Sequence, residues 1–101
     1  MHIRHLENIT HVGELYQKGL LSWTKRYCVI SKHRLLCYRS DRDTKPVHVI
    51  QLMSYDVTYV EKDGKLSHIL RISRPGFETH WFYADNKETA SNWLTVFRLI
   101  S

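Results

Sequence analysis

The stretch SWTKRYCVI, Ser22 to Ile30, carries two adjacent cations, Lys25 and Arg26, inside a run of aromatic and β-branched residues. Such a run favours a pleated, half-buried strand. Successive side chains of a strand point to opposite faces. The two cations must therefore face opposite ways, and the chemistry they offer is electrostatic, the holding of an anion. Seven histidines and two cysteines are the other reactive types. His2, His5, His11, His33, His48, His68 and His80 are scattered, and none stands at zinc-ligand spacing from a cysteine or carboxylate. His2 and His5 could chelate only weakly. Cys28 and Cys37 fall mid-strand among apolar neighbours, where a thiol is inert. Two cysteines make no disulfide framework, so they read as reduced, buried thiols of an intracellular protein. There is no glycine-rich phosphate loop, nucleophile elbow or paired-carboxylate motif. The expectation is a protein with no catalytic residues, no metal and no cofactor.

The chain of 101 residues has the length of one domain. Its apolar fraction of 43% and charged fraction of 25% are those of an ordinary globular chain. No apolar run approaches bilayer length, and MHIRHLENIT has no signal-peptide core, so a cytoplasmic location is expected. The net charge of +5 and pI near 9.4 favour acidic partners without choosing among them.

Short strand-like runs follow one another: Val12–Lys18, Trp23–Ile30, Arg34–Tyr38, Val47–Leu52, Val57–Glu61, Leu66–Ser73 and Thr79–Ala84. Asp63–Gly64 is a strong hairpin signal, Ser31–His33 is short enough for another, and Arg74–Gly76 breaks the sixth run from the seventh. Residues 1–11 read as a flexible lead-in and 12–101 as the domain. In the last segment the period changes. Ala90, Trp93, Phe97 and Ile100 form one helical face, widened by Leu94 and Val96. Asp85 and Glu88 have capping-box spacing, which predicts a helix starting just after Asp85. Seven short strands and one amphipathic C-terminal helix describe a mainly β small barrel or bent sandwich closed at one end by the helix.

In this order the elements resemble the pleckstrin homology (PH) family. GELYQKG (Gly13–Gly19) is similar to its first strand and WTKRYCVI (Trp23–Ile30) to its second. LLCYRSDRDTKPVHVIQL (Leu35–Leu52) resembles the third and fourth strands with their charged connector. WFYADNKETASNWLTVF (Trp81–Phe97) resembles the last strand and helix, with Trp93 as the helix tryptophan. The resemblance implies two nearly orthogonal antiparallel sheets capped by the helix, and a binding module without catalytic activity. It also implies an open barrel end that often holds a phosphoinositide headgroup, using a first-strand lysine and a basic-x-arginine pair in the second strand.

The chain departs from that pattern. Gln17 and Thr24 stand at two of the basic positions, Leu36 replaces a tyrosine, Val47 replaces a basic residue, and only Arg26 matches. Alternation puts Arg26 with Thr24, Cys28 and Ile30 on the core face. Lys25 lies with Trp23, Tyr27 and Val29 outside, where Lys18 and Tyr16 also fall. The family resemblance allows an anion on this outer side, and Lys18 with Lys25 is slightly favoured over Arg26 alone at the mouth. Arg39, with Arg42 and Lys45, flanks the mouth in a supporting role, because Asp41 and Asp43 offset the charge.

Leu20 and Leu21 are adjacent apolar residues at the tip of the first hairpin, flanked by Lys18 and Lys25. Apolar side chains ringed by cations suit a membrane interface; the alternative is that one leucine folds back over the barrel end. The expected function is peripheral attachment of a larger signalling or cytoskeletal protein to the cytoplasmic face of anionic, phosphoinositide-containing membrane, with weak headgroup selectivity. Lys18, Lys25, Arg26 and Arg39 would hold the headgroup, and Leu20 and Leu21 would contact the membrane. The competing expectation is a protein-docking module without lipid binding. Nucleic acid is not expected, because Tyr16, Trp23 and Tyr27 read more simply as packing on the outer sheet, and the isolated domain is expected to be a monomer.

Overall fold

The β-branched and aromatic runs form seven strands in the computed structural model, which describes residues 9–100. They are β1 (Ile9–Lys18), β2 (Trp23–Ser31), β3 (Arg34–Tyr38), β4 (His48–Gln51), β5 (Asp56–Asp63), β6 (Leu66–Ser73) and β7 (His80–Tyr83), followed by the helix α1 (Lys87–Ile100). Positions 1–8, with His2, His5 and most of the expected lead-in, lie outside the described residues. β1 begins three residues before Val12, and a register shift between Ile9 and His11 marks a bulge there. β4 and β7 are shorter than the sequence runs suggest, and β5 is longer.

All strand pairs are antiparallel, and the sheet order is β4-β3-β2-β1-β7-β6-β5. The sheet stays open between β4 and β5. It curls so that Leu15, Cys28, Ile30, Leu35 and Ile50 of one half share a core with Val57, Leu70, Ile72 and Phe82 of the other. α1 packs against β1, β5 and β6 and contributes Ala90, Trp93 and Phe97 to that core. This is the bent β-structure capped by one helix that the sequence pattern implies.

The helix starts one residue later than the acidic spacing predicts. Asn86, not Asp85, is the N-cap: its Oδ1 accepts the Thr89 N–H at 2.8 Å. Asn is among the best residues at that position because its side chain meets an N–H with no intrahelical partner. Glu88 lies in the first turn and Arg98 in the last, each at the helix end that favours its charge.

From His11↔Ile30 to Lys18↔Trp23 the β1–β2 register is unbroken. The face assignment made by alternation therefore holds across the segment that matters. Leu15 and Gln17 are buried on the inner face, as are Cys28 and Ile30. On the opposite face Val29, Leu36 and Tyr38 form a smaller buried cluster, with Tyr27 packed against it.

Cys28 and Cys37 stand directly opposite each other, both free and with no exposed surface. A hydrogen bond with Cys37, and then burial, push the Cys28 thiol well above its ordinary range. A thiol held protonated in a dry core is a poor nucleophile. In the native protein both cysteines should therefore resist a thiol reagent over the time in which the urea-unfolded chain is fully labelled. Rapid native labelling of either one would contradict the burial.

Candidate functional site

The first hairpin is closed tightly at its tip. The Gly19 N–H donates to the Ser22 carbonyl at 2.7 Å. A Cβ at position 19 would meet that same carbonyl oxygen at 3.1 Å, so glycine suits the close approach. The closure leaves Leu20 and Leu21 with nothing to pack on, and they are 100% and 96% exposed. Neither leucine folds back over the barrel end.

Beside this tip a cleft of about 630 Å³ opens where the ends of β1, β4 and β7 converge; Gln17, Lys18, Leu20, His48, Glu78 and His80 line it. Burial holds His80 below its ordinary pKa, with Glu78 pulling it up and His48 pushing it down. Across the rim Phe77 is 56% exposed, and the Arg74 guanidinium lies 4.3 Å from its ring centre. Sequence reasoning passed over Phe77 and weighed the two cleft histidines only as metal ligands. The available signals were an aromatic directly after the Arg74–Gly76 turn, and histidines at the starts of two strands that begin at the same mouth.

Lys25, Arg26 and Arg39 come together elsewhere, lining a second cleft of about 500 Å³ with Glu14, Tyr27 and Asp41. One of its cations is paired with an acid. Lys25 Nζ is 3.5 Å from a Glu14 carboxylate oxygen. Burial, then the charges of Asp41 and Glu14, push the Tyr27 hydroxyl above its ordinary value. On the inner side the Arg26 Nε–H donates to Gln17 Oε1 at 3.1 Å. Gln17, which from sequence is a lost lysine, is the buried anchor of the one matching arginine.

Lys18 and Lys25 share the outer face, as expected, but do not converge. Lys25 pairs with Tyr16 in the register and reaches back along the strand to Glu14. Lys18 turns across β1 toward β7, where its Nζ lies 5.6 Å from the Trp81 ring centre. The aromatics of this face pack on one another: Tyr16 stacks on Tyr83 at 4.5 Å, and Trp23 meets Tyr83 edge-on at 5.1 Å. The outer site therefore lacks the paired lysines that would make it an anion cradle.

The curled sheet, its helix cap and an open mouth rimmed by exposed loops are the frame on which the family comparison bears. The PH domain pattern matches residues 9–101, and the chain belongs to the PH domain family, whose members are non-catalytic binding modules. It is 36% identical over 85 residues to actin filament-associated protein 1 of Homo sapiens, covering 83% of this chain and 12% of the relative. It is 34% identical over 86 residues to the human actin filament-associated protein 1-like 2, covering 84% of this chain and 10% of that relative. The chain thus spans about a tenth of the length of these relatives. Among solved structures, the C-terminal PH domain of pleckstrin in complex with D-myo-Ins(1,2,3,5,6)P5 superposes with a TM-score of 0.82. That match has 20% identity and covers 92% of this chain and 95% of the other. The likeness shows the shared fold. No helix among the described residues is long and apolar enough to cross a membrane.

Proposed function

We propose that this PH domain attaches its parent protein to anionic membrane surfaces through the mouth end, with the hairpin tip as the principal contact. The observation that carries this reading is the complete exposure of Leu20 and Leu21 on a loop that also lines the mouth cleft. Adjacent leucines in water are unfavourable unless a partner covers them, and a bilayer interface is such a partner. Phe77 with Arg74, in the β6–β7 connection that also brings Glu78 to the cleft, and Lys18 behind the tip add a second apolar point and two cations. Each cation near an anionic leaflet adds about 1 kcal/mol. Charge alone is then too weak for stable attachment, headgroup selectivity is low, and a second contact from the parent protein completes it. The relatives' names, which speak of association with actin filaments, are consistent with a cytoskeletal parent.

Co-sedimentation with phosphatidylcholine vesicles containing phosphatidylserine or a phosphoinositide tests the reading. Binding should need the anionic lipid and weaken in high salt without vanishing, because the leucine contribution is not screened. Failure to bind any anionic vesicle would overturn it in favour of a protein-docking module, the reading that the pairing of Lys25 with Glu14 and the tethering of Arg26 to Gln17 favour.

A further inference from the structure

His48, at the start of β4, and His80, at the start of β7, are the two histidines in the wall of the mouth cleft. Lys18 from β1 and Glu78 from the β6–β7 connection are the charged groups that share it. Tyr55, from the β4–β5 turn, stacks on His80 with ring centres 6.1 Å apart. Tyr55 also faces Phe77 at 6.4 Å, on whose ring Arg74 sits. With both imidazoles neutral, Lys18 and Glu78 cancel and the cleft has no net formal charge. With both protonated it carries two positive charges, in a wall that also bears the exposed Leu20.

We propose that His48 and His80 make the domain's hold on an anionic lipid surface proton-dependent, turning a nearly neutral cleft into a doubly charged anion site as pH falls below neutral. This rests on the membrane reading above. Histidine is the side chain whose charge changes in that range. Burial, and then the His48 charge, disfavour the His80 cation in the free protein. A phosphate group in the cleft supplies the opposite charge that favours both. Binding therefore takes up protons, and by linkage affinity rises as pH falls. Glu78 offsets part of the burial cost at His80, drawing its proton on before any lipid arrives.

The test is co-sedimentation with phosphatidylcholine vesicles containing a phosphatidylinositol monophosphate, at about pH 7.5 and about pH 5.5, either side of the ordinary histidine range. Circular dichroism at both values verifies the fold. The unmodified protein should bind about tenfold more tightly at the lower pH, since two added cations face the leaflet. His48→Gln with His80→Gln should bind no more tightly at the lower pH than at the higher. His48→Gln alone, at an exposed position, should lose part of the gain and serves if the double variant is unstable. His33→Gln, in the β2–β3 turn beside the helix end, should keep the gain, which separates the cleft from the general rise in charge. Equal binding at both pH values, or a gain that survives the double substitution, overturns the proton coupling and leaves the membrane reading standing. Absence of vesicle binding at either pH overturns both.

Discussion

Replacing Trp93 with alanine is expected to unfold the domain or to remove about 3–5 kcal/mol of its stability, the usual cost of truncating a buried aromatic. Small domains have only about 5–15 kcal/mol in total, so the loss is a large share. Trp93 is 1% exposed and lies in the core between the helix and the curled sheet. It packs edge-on to His11 at 4.5 Å and against Phe97 at 5.6 Å. On the strand side, Gly13 supplies the room: a Cβ there would come within 3.3 Å of the indole. A cavity left in the core adds its own term to the lost transfer energy. A urea or thermal melt reads the result. A midpoint within a degree or two of the unmodified protein would remove Trp93 from its barrel-closing role.

Much of this was legible because period and turn chemistry are local signals. The change from alternation to a helical face at Ala90, Trp93 and Phe97 located the only helix among the described residues, and the unbroken register fixed which side of β2 Arg26 and Lys25 occupy. What stayed hidden was set by side-chain choice among several neighbours. Alternation places Lys18 and Lys25 on one face, but it says nothing of whether each prefers the other's neighbourhood or its own partner. Glu14 and Trp81 decide that, and Trp81 comes from a strand more than sixty residues away in the chain. Gln17 read as an absence for the same reason: its value as an acceptor for Arg26 appears only when the two are diagonal neighbours. The helix cap moved by one residue because Asp85 and Asn86 both suit the position, and local sequence does not rank them.

Substituting Leu20→Ser with Leu21→Ser should separate membrane attachment from folding more cleanly than any change to a cation. The two leucines make no core contact, so the melting temperature should stay within a degree or two of the unmodified protein. Full burial of one leucine side chain is worth roughly 1.5–3 kcal/mol, and shallow insertion of two gives a comparable total. Binding to anionic vesicles should therefore fall by roughly one to two orders of magnitude. Lys25→Ala should weaken binding by no more than about twofold, because its charge is already paired with Glu14 and an exposed pair contributes little. The ranking follows from the geometry: Arg26 is tied to Gln17, Lys25 to Glu14 and Lys18 leans on Trp81, whereas the leucines stand almost fully exposed among the described residues. Vesicle flotation at fixed lipid composition measures all three proteins side by side. If the serine variant floats as well as the unmodified protein while Lys25→Ala does not, the hairpin tip is not the anchor, and the second cleft would have to open its ion pair to take the headgroup.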